Sequence, residues 1–418
     1  MILFKNPKYL FNHPRQYWYY NVNQEQSWND STFFPSISDS NQLELVKQQE
    51  QQMLYISKRD STVLFRHHPD AGFLSYISDF GIQLPVIKVI PEGGRISHNL
   101  QSDSFVIPYI NTAEVFEDMK GSPGGGLFGT SPELVKTINN KYLTRCMAQK
   151  HGFNVTEGHF CEDEKSLRKA YDHLCSQGFE KCVIKIPYGS SGKGLKIIDD
   201  DKSFERVLKF IVRRSPRFHL LIEGWHPVKQ NINCQLYIDE CGPTIIGVTE
   251  QQIDSNGVYA GTIFTPSYDH STVSQYNSEM IRLGKILSRM GYKGICGVDS
   301  IISMDNRLYP VIELNARFTQ VTYLLPLICE VFNEYKHAVS SCVRFESREE
   351  YDFMSIKGKL DEYIPDLPGY IKFIYTFASY SLPDQSKTIY RMCVLFCGKE
   401  FEIIRSQIAQ LHDFKVLQ

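Results

Sequence analysis

No stretch of this chain stays apolar for anything near the ~20 residues needed to cross a bilayer. Its first twenty residues carry Lys5, Lys8 and Arg15 among their apolar positions, so they lack the unbroken core of a secretory signal. Eleven cysteines stand singly, with no CxxC pair and no zinc-finger Cys/His spacing, so neither a disulfide framework nor a structural zinc site is expected. Reduced thiols and a cytoplasmic location are. Charge of one sign is also lacking: 45 Lys and Arg face 47 Asp and Glu, and no overall field draws the chain to nucleic acid or to an anionic membrane. What is present, 42% hydrophobic and 22% charged residues over 418 positions, suits a globular protein with two or three cores.

Residues 1 to about 40 are rich in aromatics, Asn and Pro without a clean period, and no element is assigned to them. A helical pattern runs from Leu43 to about Met53. An apolar run follows at Thr62 to Phe65, ending in His67-His68-Pro69. The histidines read as a strand-end pair packing on the next helix, since no third ligand lies near them in sequence. A helix from Asp70 to Phe80, stopped by Gly81, leads to a second β-like run at Pro85 to Ile90, and Phe105 to Ile107 offers a third. Strand, helix and strand at this spacing imply a parallel sheet. The run Gly121 to Gly126 has the glycine count of a phosphate loop but no Lys-Ser/Thr after it, so it reads as a linker and a domain boundary. Ser131-Pro132-Glu133 opens a helix expected to reach His151.

Chemistry concentrates further on. In Tyr309 to Arg317, a strand period of two sets Glu313 and Asn315 on one face and leaves Ile312 and Leu314 for a core. An acid beside an amide suits Mg²⁺, which takes oxygen ligands and leaves places for substrate phosphates. Arg317 at the strand end offers a planar cation to a phosphoryl group. Gly297 to Ser303 pairs with Leu308 to Asn315 across the turn Asp305-Asn306-Arg307. A two-residue turn would put Asp299 opposite Ile312. An odd loop centred on Asn306, or an equivalent bulge, puts it opposite Glu313, and this second register is the expected one.

Upstream, two apolar segments of Cys182 to Ile198 flank Gly189-Ser190-Ser191-Gly192-Lys193-Gly194, whose backbone N–H groups can approach phosphate oxygens closely. The loop joins two strands, so it is not a Walker A loop. Lys185 is a charge inside an apolar strand and needs an anionic partner. The strand His219 to Trp225 ends in an acid, a glycine and an aromatic, a suitable edge for an adenine. Strands are expected over Asn233 to Asp239 and Thr244 to Glu250, and helices over Ser278 to Met290 and from Leu325 to about Phe345. The C-terminal part offers strands at Tyr370 to Tyr375 and Thr388 to Phe396 and a helix at Glu402 to Leu411.

Taken in order, the helix lysine Lys141, the Lys185 strand, the Gly/Ser loop, the Glu-ending strand and Asp299…Glu313-x-Asn315-x-Arg317 resemble the ATP-grasp superfamily over about residues 131 to 345. The resemblance implies an α/β and α+β architecture. A Rossmann-like pre-ATP-grasp domain would span 1–130, an ATP-grasp core of two α+β subdomains 131–221 and 222–345, and a small α+β extension 346–418. It implies ATP and Mg²⁺ as cofactors. Lys141 and Lys185 match the two phosphate-contacting lysines, and Gly189, Ser190, Ser191, Gly192, Lys193 and Gly194 the closing loop. Ile222, Glu223, Gly224 and Trp225 match the adenine hinge, Asp299, Glu313 and Asn315 the metal ligands, and Arg317 the cation on the transferred phosphoryl group. Asn231 and Gln235 are candidates for the ribose. The implied activity is ADP-forming ligation through an acyl phosphate. The narrower resemblance is to the butirosin-type ligases of antibiotic assembly, which load an amino acid such as glutamate onto an acyl-carrier protein. An amide ligase joining an amino acid to an amine, and a non-catalytic ATP-binding regulator, are the alternatives.

Overall fold

The computed structural model describes residues 4–29, 40–91, 93–120, 122, 125–189, 194–254, 257–384 and 386–415, and arranges their strands in three sheets. The first is parallel: β1 (Gln16–Tyr19), β2 (Thr62–Phe65), β3 (Val86–Val89), β4 (Phe105–Pro108) and β5 (Gly126–Leu127), in the order β3-β2-β1-β4-β5. This is the strand order of a doubly wound nucleotide-binding sheet. The central strand, β1, lies where the sequence shows no period. Trp18 packs into the main core and Tyr17 into a smaller cluster on the opposite face. A strand covered on both faces has no polar side to alternate with. The expected linker ends as a strand: Gly126 opens β5, where a Cβ would lie 2.5 Å from the Phe105 ring. Positions 121, 123 and 124 of that run lie outside the described residues.

His67 packs on the preceding helical segment rather than the next helix. Glu50 accepts from the Arg66 and His67 N–H groups (2.9 Å each) and meets His67 Nδ1 at 3.2 Å, and Glu44 meets Nε2 at 3.2 Å. The Glu50 hydrogen bond leads in raising the His67 pKa above its ordinary value, against partial burial.

The second sheet is antiparallel: β6 (Gly158–Cys161), β7 (Cys182–Lys185), β8 (Leu195–Ile198) and β9 (Leu220–Gly224), in the order β6-β9-β7-β8. Helices Glu164–Ser176 and Asp201–Arg214 back it, each opened by a capping box, Asp163 with Ser166 and Asp200 with Ser203. Their apolar stripes, including Leu167, Leu174, Phe204, Leu208 and Ile211, form its core with Ile184 and Ile222. The helix expected from Ser131 to His151 is two, Pro132–Asn139 and Lys141–Lys150. Asn140 leaves the helical conformation and its side chain accepts from the N–H groups of Tyr142 and Leu143, which starts a new helix at Lys141.

The third sheet, also antiparallel, contains β10 (Val228–Asp239), β11 (Gly242–Ile253), β12 (Tyr259–Ile263), β13 (Gly294–Ser303), β14 (Leu308–Asn315), β15 (His337–Ser347), β16 (Ile371–Ser381) and β17 (Thr388–Gly398). Its order is β14-β13-β10-β11-β12-β15-β17-β16. The helix expected up to Phe345 ends much earlier: Gln320–Pro326 runs into one π-helical turn at Leu327–Val331, and β15 follows. In β15, Val343 and Phe345 are buried while Arg344 and Glu346 are exposed, a period of two rather than 3.6. Directly opposed on β15 and β17, Cys342 and Cys393 are joined as a disulfide with Cα atoms 4.1 Å apart, which departs from the expected all-reduced thiols.

β16 is the outer strand. Its edge is covered by side chains of the segment Gln48–Gln52: Gln51 donates to the Phe377 carbonyl and accepts from its N–H, both at 2.7 Å, and Gln48 does the same at Ser379 (2.7 and 3.2 Å). No helix among the described residues is long and apolar enough to cross a membrane.

Candidate active site

The β13–β14 hairpin builds the centre of the site. Ile302 pairs with Leu308 and Ile301 with Tyr309, which closes an odd loop, 303–307, in which Asn306 takes a φ of 63°. That register alone would set Asp299 opposite Val311. Instead β14 advances four residues while β13 advances two, and the next pair is Asp299 with Glu313. The irregularity falls at Pro310, which has no N–H for the ladder and whose carbonyl accepts from Ser300 Oγ (2.8 Å). A bulge, rather than a loop centred on Asn306, thus brings Asp299 beside Glu313, with Gly297 opposite Asn315.

Asp299 Oδ1 accepts from Asn233 Nδ2 (2.7 Å) and Gln251 Nε2 (2.8 Å), and its Oδ2 from Asn315 Nδ2 (3.0 Å). Burial first, and then the neighbouring Glu313 charge, push its pKa up to about 6, against the Asn233 and Asn315 hydrogen bonds and the Arg317 charge. Lys141 Nζ donates to Glu313 Oε1 (2.6 Å) and to the Gly189 carbonyl (2.9 Å), tying the helix start to both the metal-ligand candidate and the loop. Arg317 Nη2 donates to Asn315 Oδ1 (2.7 Å), its Nε pairs with Glu25, and its guanidinium lies 5.3 Å from the Tyr109 ring centre. Two carboxylates and an amide oxygen in one patch are the donor set of a hard divalent cation. Among the described residues no three His, Cys, Asp or Glu side chains converge, so a cation here would need further oxygens, such as those of phosphates.

At the other end, Lys185 finds the anionic partner that its strand position demands: Nζ lies 2.5 Å from Glu223 Oε2. Glu223 Oε1 accepts from Thr156 Oγ1 (2.6 Å) and lies 3.4 Å from Arg145 Nε. Burial would raise this carboxyl, but Lys185, Thr156 and Arg145 together hold its pKa below the ordinary range. Gly189 and Gly194 bracket the loop, with the Ile186 N–H donating to the Gly194 carbonyl (2.8 Å). Ser190, Ser191, Gly192 and Lys193 lie outside the described residues.

A cavity of about 710 Å³ connects these groups, from Lys185, Glu223, Gly224 and Trp225 past Lys141, Asp299, Glu313, Asn315 and Arg317 to Tyr20 and Arg391. Ile222 faces the core of the second sheet and brings only its backbone to the hinge. Asn231 lines the cavity. Gln235 does not: it is fully buried, donates to Asn233 Oδ1 (2.7 Å) and accepts from Thr319 and Thr322 (2.9 and 2.6 Å), which removes it as a ribose contact. Sequence reasoning missed Asn233, although it shares a strand face with Asn231. It also missed Gln251, Thr156, Arg145 and Glu25. Glu25 lies 292 positions from Arg317 in a segment with no periodic signal.

Residues 140–324 match the family model described as carbamoyl-phosphate synthase L chain, ATP binding domain. The butirosin acyl-carrier protein–L-glutamate ligase of Niallia circulans is 39% identical over 401 residues, covering 94% of each chain. Among solved structures, N5-carboxyaminoimidazole synthetase from Staphylococcus aureus complexed with ADP superposes with a TM-score of 0.56 at 12% identity, over 96% of this chain and 97% of that one. Phosphoribosylamine–glycine ligase from Thermotoga maritima gives 0.57 at 15% identity, over 95% of both. At such identities these structures show the fold: a parallel N-terminal sheet followed by antiparallel ATP-grasp subdomains. Matched along nearly its whole length by a ligase at 39% identity, and folded around an ATP-binding domain, the chain belongs to the ATP-grasp ligases.

Proposed function

We propose that this ligase activates the carboxylate of an amino acid, glutamate, and passes the acyl group to the pantetheine thiol of an acyl-carrier protein in antibiotic assembly. The observation that carries the reading is the 39% identity, over 94% of both chains, to an enzyme whose name states both glutamate and a butirosin carrier protein. The substrate carboxylate attacks the γ-phosphorus of ATP, ADP leaves, and the resulting acyl phosphate is attacked by the thiolate. Phosphate is expelled and the thiol proton passes to solvent or to phosphate. A carboxylate is a poor electrophile, and phosphorylation supplies the leaving group.

The side chains divide this work. Residues 131–221 and 222–345 hold ATP between them, after an N-terminal domain of residues 1–130 and before an extension of residues 346–418. Lys141 and Lys185 neutralise phosphate oxygens, the Gly189–Gly194 loop covers them and excludes water, and the Ile222–Trp225 backbone meets the adenine edge. Asp299, Glu313 and Asn315 would hold Mg²⁺, which supplies charge neutralisation across the phosphate oxygens. Arg317, fixed by Glu25 and Asn315, presents a cation to the phosphoryl group in transfer.

The test incubates the protein with ATP, Mg²⁺ and a panel of amino acids, with or without a pantetheinylated carrier protein or amines, and measures ADP. ADP release that requires glutamate and the carrier thiol is the expected result. Release with free amines instead would make the enzyme an amide ligase, and no release with any combination would end the proposal.

A further inference from the structure

The cavity reaches beyond the phosphate and metal groups to β15 and β17, where it is lined by Arg344 and Arg391. The two residues are directly opposed in the antiparallel pair, so their side chains share one face of the sheet. Like charges opposed in this way repel, and an anion between them removes the penalty. Arg344 has one carboxylate at the limit of ion-pair distance, Glu346 at 3.9 Å, and Glu346 is itself engaged by Lys387 at 2.5 Å. Arg391 has none among the described residues. Its neighbours are the neutral phenols of Tyr20, Tyr259 and Tyr375 and the Gln49 amide, whose oxygen would accept from Nη2 at 2.9 Å with the amide rotated by half a turn. Arg317, the buried guanidinium of the cavity, is neutralised by Glu25.

Position distinguishes Arg391 from a surface arginine. Tyr20 lies within electrostatic reach of both Arg391 and Arg317, and Tyr259 within reach of both Arg391 and Asp299. Arg391 therefore shares one cavity, and the neighbourhood of Tyr20 and Tyr259, with the groups assigned to phosphoryl transfer. A guanidinium withdrawn from water without a counter-ion is costly, and its planar fork matches a carboxylate bidentately. We propose that Arg391, with Arg344 opposite it, binds the second carboxylate of a dicarboxylic amino acid, the one that is not phosphorylated, and so selects glutamate over monocarboxylic amino acids. This rests on the reading of the chain as an amino-acid-activating ligase and adds the residue that chooses the amino acid.

The experiment compares wild-type protein with Arg391→Gln and Arg391→Lys, and Arg344→Gln as a second variant. It reads steady-state ADP release against glutamate, ATP and carrier protein, and equilibrium binding of L-glutamate in the presence of ADP without carrier. Loss of a bidentate charged hydrogen bond is expected to weaken glutamate binding and raise its KM roughly 10- to 100-fold in Arg391→Gln, with a smaller effect in Arg391→Lys. The KM for ATP and kcat at saturating glutamate should stay close to wild type, and the melting temperature without ligand should not fall. Wild type should also discriminate against the glutamate monoamide that retains the reacting carboxylate, and Arg391→Gln should lose that discrimination. An unchanged glutamate affinity in Arg391→Gln overturns the proposal, as does a raised KM for the carrier protein alone, which would place the pantetheine phosphate at this site. If the acceptor proves to be an amine, the carrier reading fails while the Arg391 effect on glutamate persists. If wild type binds no dicarboxylate among glutamate, aspartate and 2-oxoglutarate, the Arg391 site itself is refuted.

Discussion

Replacing Lys185 by Met keeps most of the side-chain volume and removes the charge that holds Glu223. The two side chains are 13% and 8% exposed, so neither charge has water to fall back on. Breaking a buried pair by deleting one partner costs about 3–5 kcal/mol when nothing replaces it. Here Thr156 Oγ1 at 2.6 Å and Arg145 Nε at 3.4 Å remain on Glu223, so about 2–3 kcal/mol is the expected loss. For a unit of 150–250 residues that corresponds to a fall of roughly 4–12 °C in melting temperature. The double variant Lys185→Met/Glu223→Gln removes the stranded charge and should recover at least half of it. pH gives an independent signature. In wild type the Glu223 pKa is held low, so its contribution is present above the unfolded carboxyl pKa of ~4.5 and is lost as pH falls through the folded value. Without Lys185, burial dominates and raises that carboxyl, and the variant regains relative stability as acid neutralises it. Thermal unfolding followed by circular dichroism at pH 7 and pH 5 should therefore show a gap that narrows on acidification. A gap independent of pH, or a double variant as unstable as the single one, would refute the reasoning.

The metal assignment predicts that Glu313→Ala reduces ADP release to background while circular dichroism still shows a folded protein, at a melting temperature lowered by the loss of the Lys141 pair. Normal turnover in that variant would remove Glu313 from the site. His67, raised by Glu50 and Glu44, contributes stability that is complete below the unfolded histidine pKa of ~6.5 and fades as pH rises through its folded value. The melting difference between wild type and His67→Gln should accordingly be larger at pH 6 than at pH 9, and a constant difference would disprove the ion pairing.

What the sequence made legible was local. Glu313 and Asn315 share a face because strand side chains alternate, and parity of the hairpin loop was enough to bring Asp299 to the same face, although the bulge at Pro310 decided its partner. Lys185 announced a carboxylate partner by its setting, without saying that Glu223, 38 positions away, would be it. β1 stayed hidden because Tyr17 and Trp18 bury opposite faces, which leaves no polar rhythm to detect. β15 was mistaken for helix because the apolar residues of the preceding helix run on toward it, and only the Arg344 and Glu346 alternation near its end betrays a strand. Asn140 ends one helix and starts the next with a cap that reads from sequence as an ordinary polar residue inside a helix. Arg391 carries no sequence signal at all. Its meaning lies in its place in the cavity, where no carboxylate among the described residues pairs with it.

The glutamine side chains that line the outer edge of β16 tie their own burial to the synthesis of a strand more than 300 positions downstream. Gln51 and Phe377 are 326 positions apart. At ~5–20 residues per second of translation, the early segment waits roughly 16–65 s for the strand it is to cover. During that interval the apolar face around Met53 to Ile56 has no partner from the C-terminal strands, and a ribosome stalled before β17 would display both an unfinished sheet and the helix meant to shield it. Truncation before β16 should therefore yield insoluble protein rather than a smaller soluble ligase.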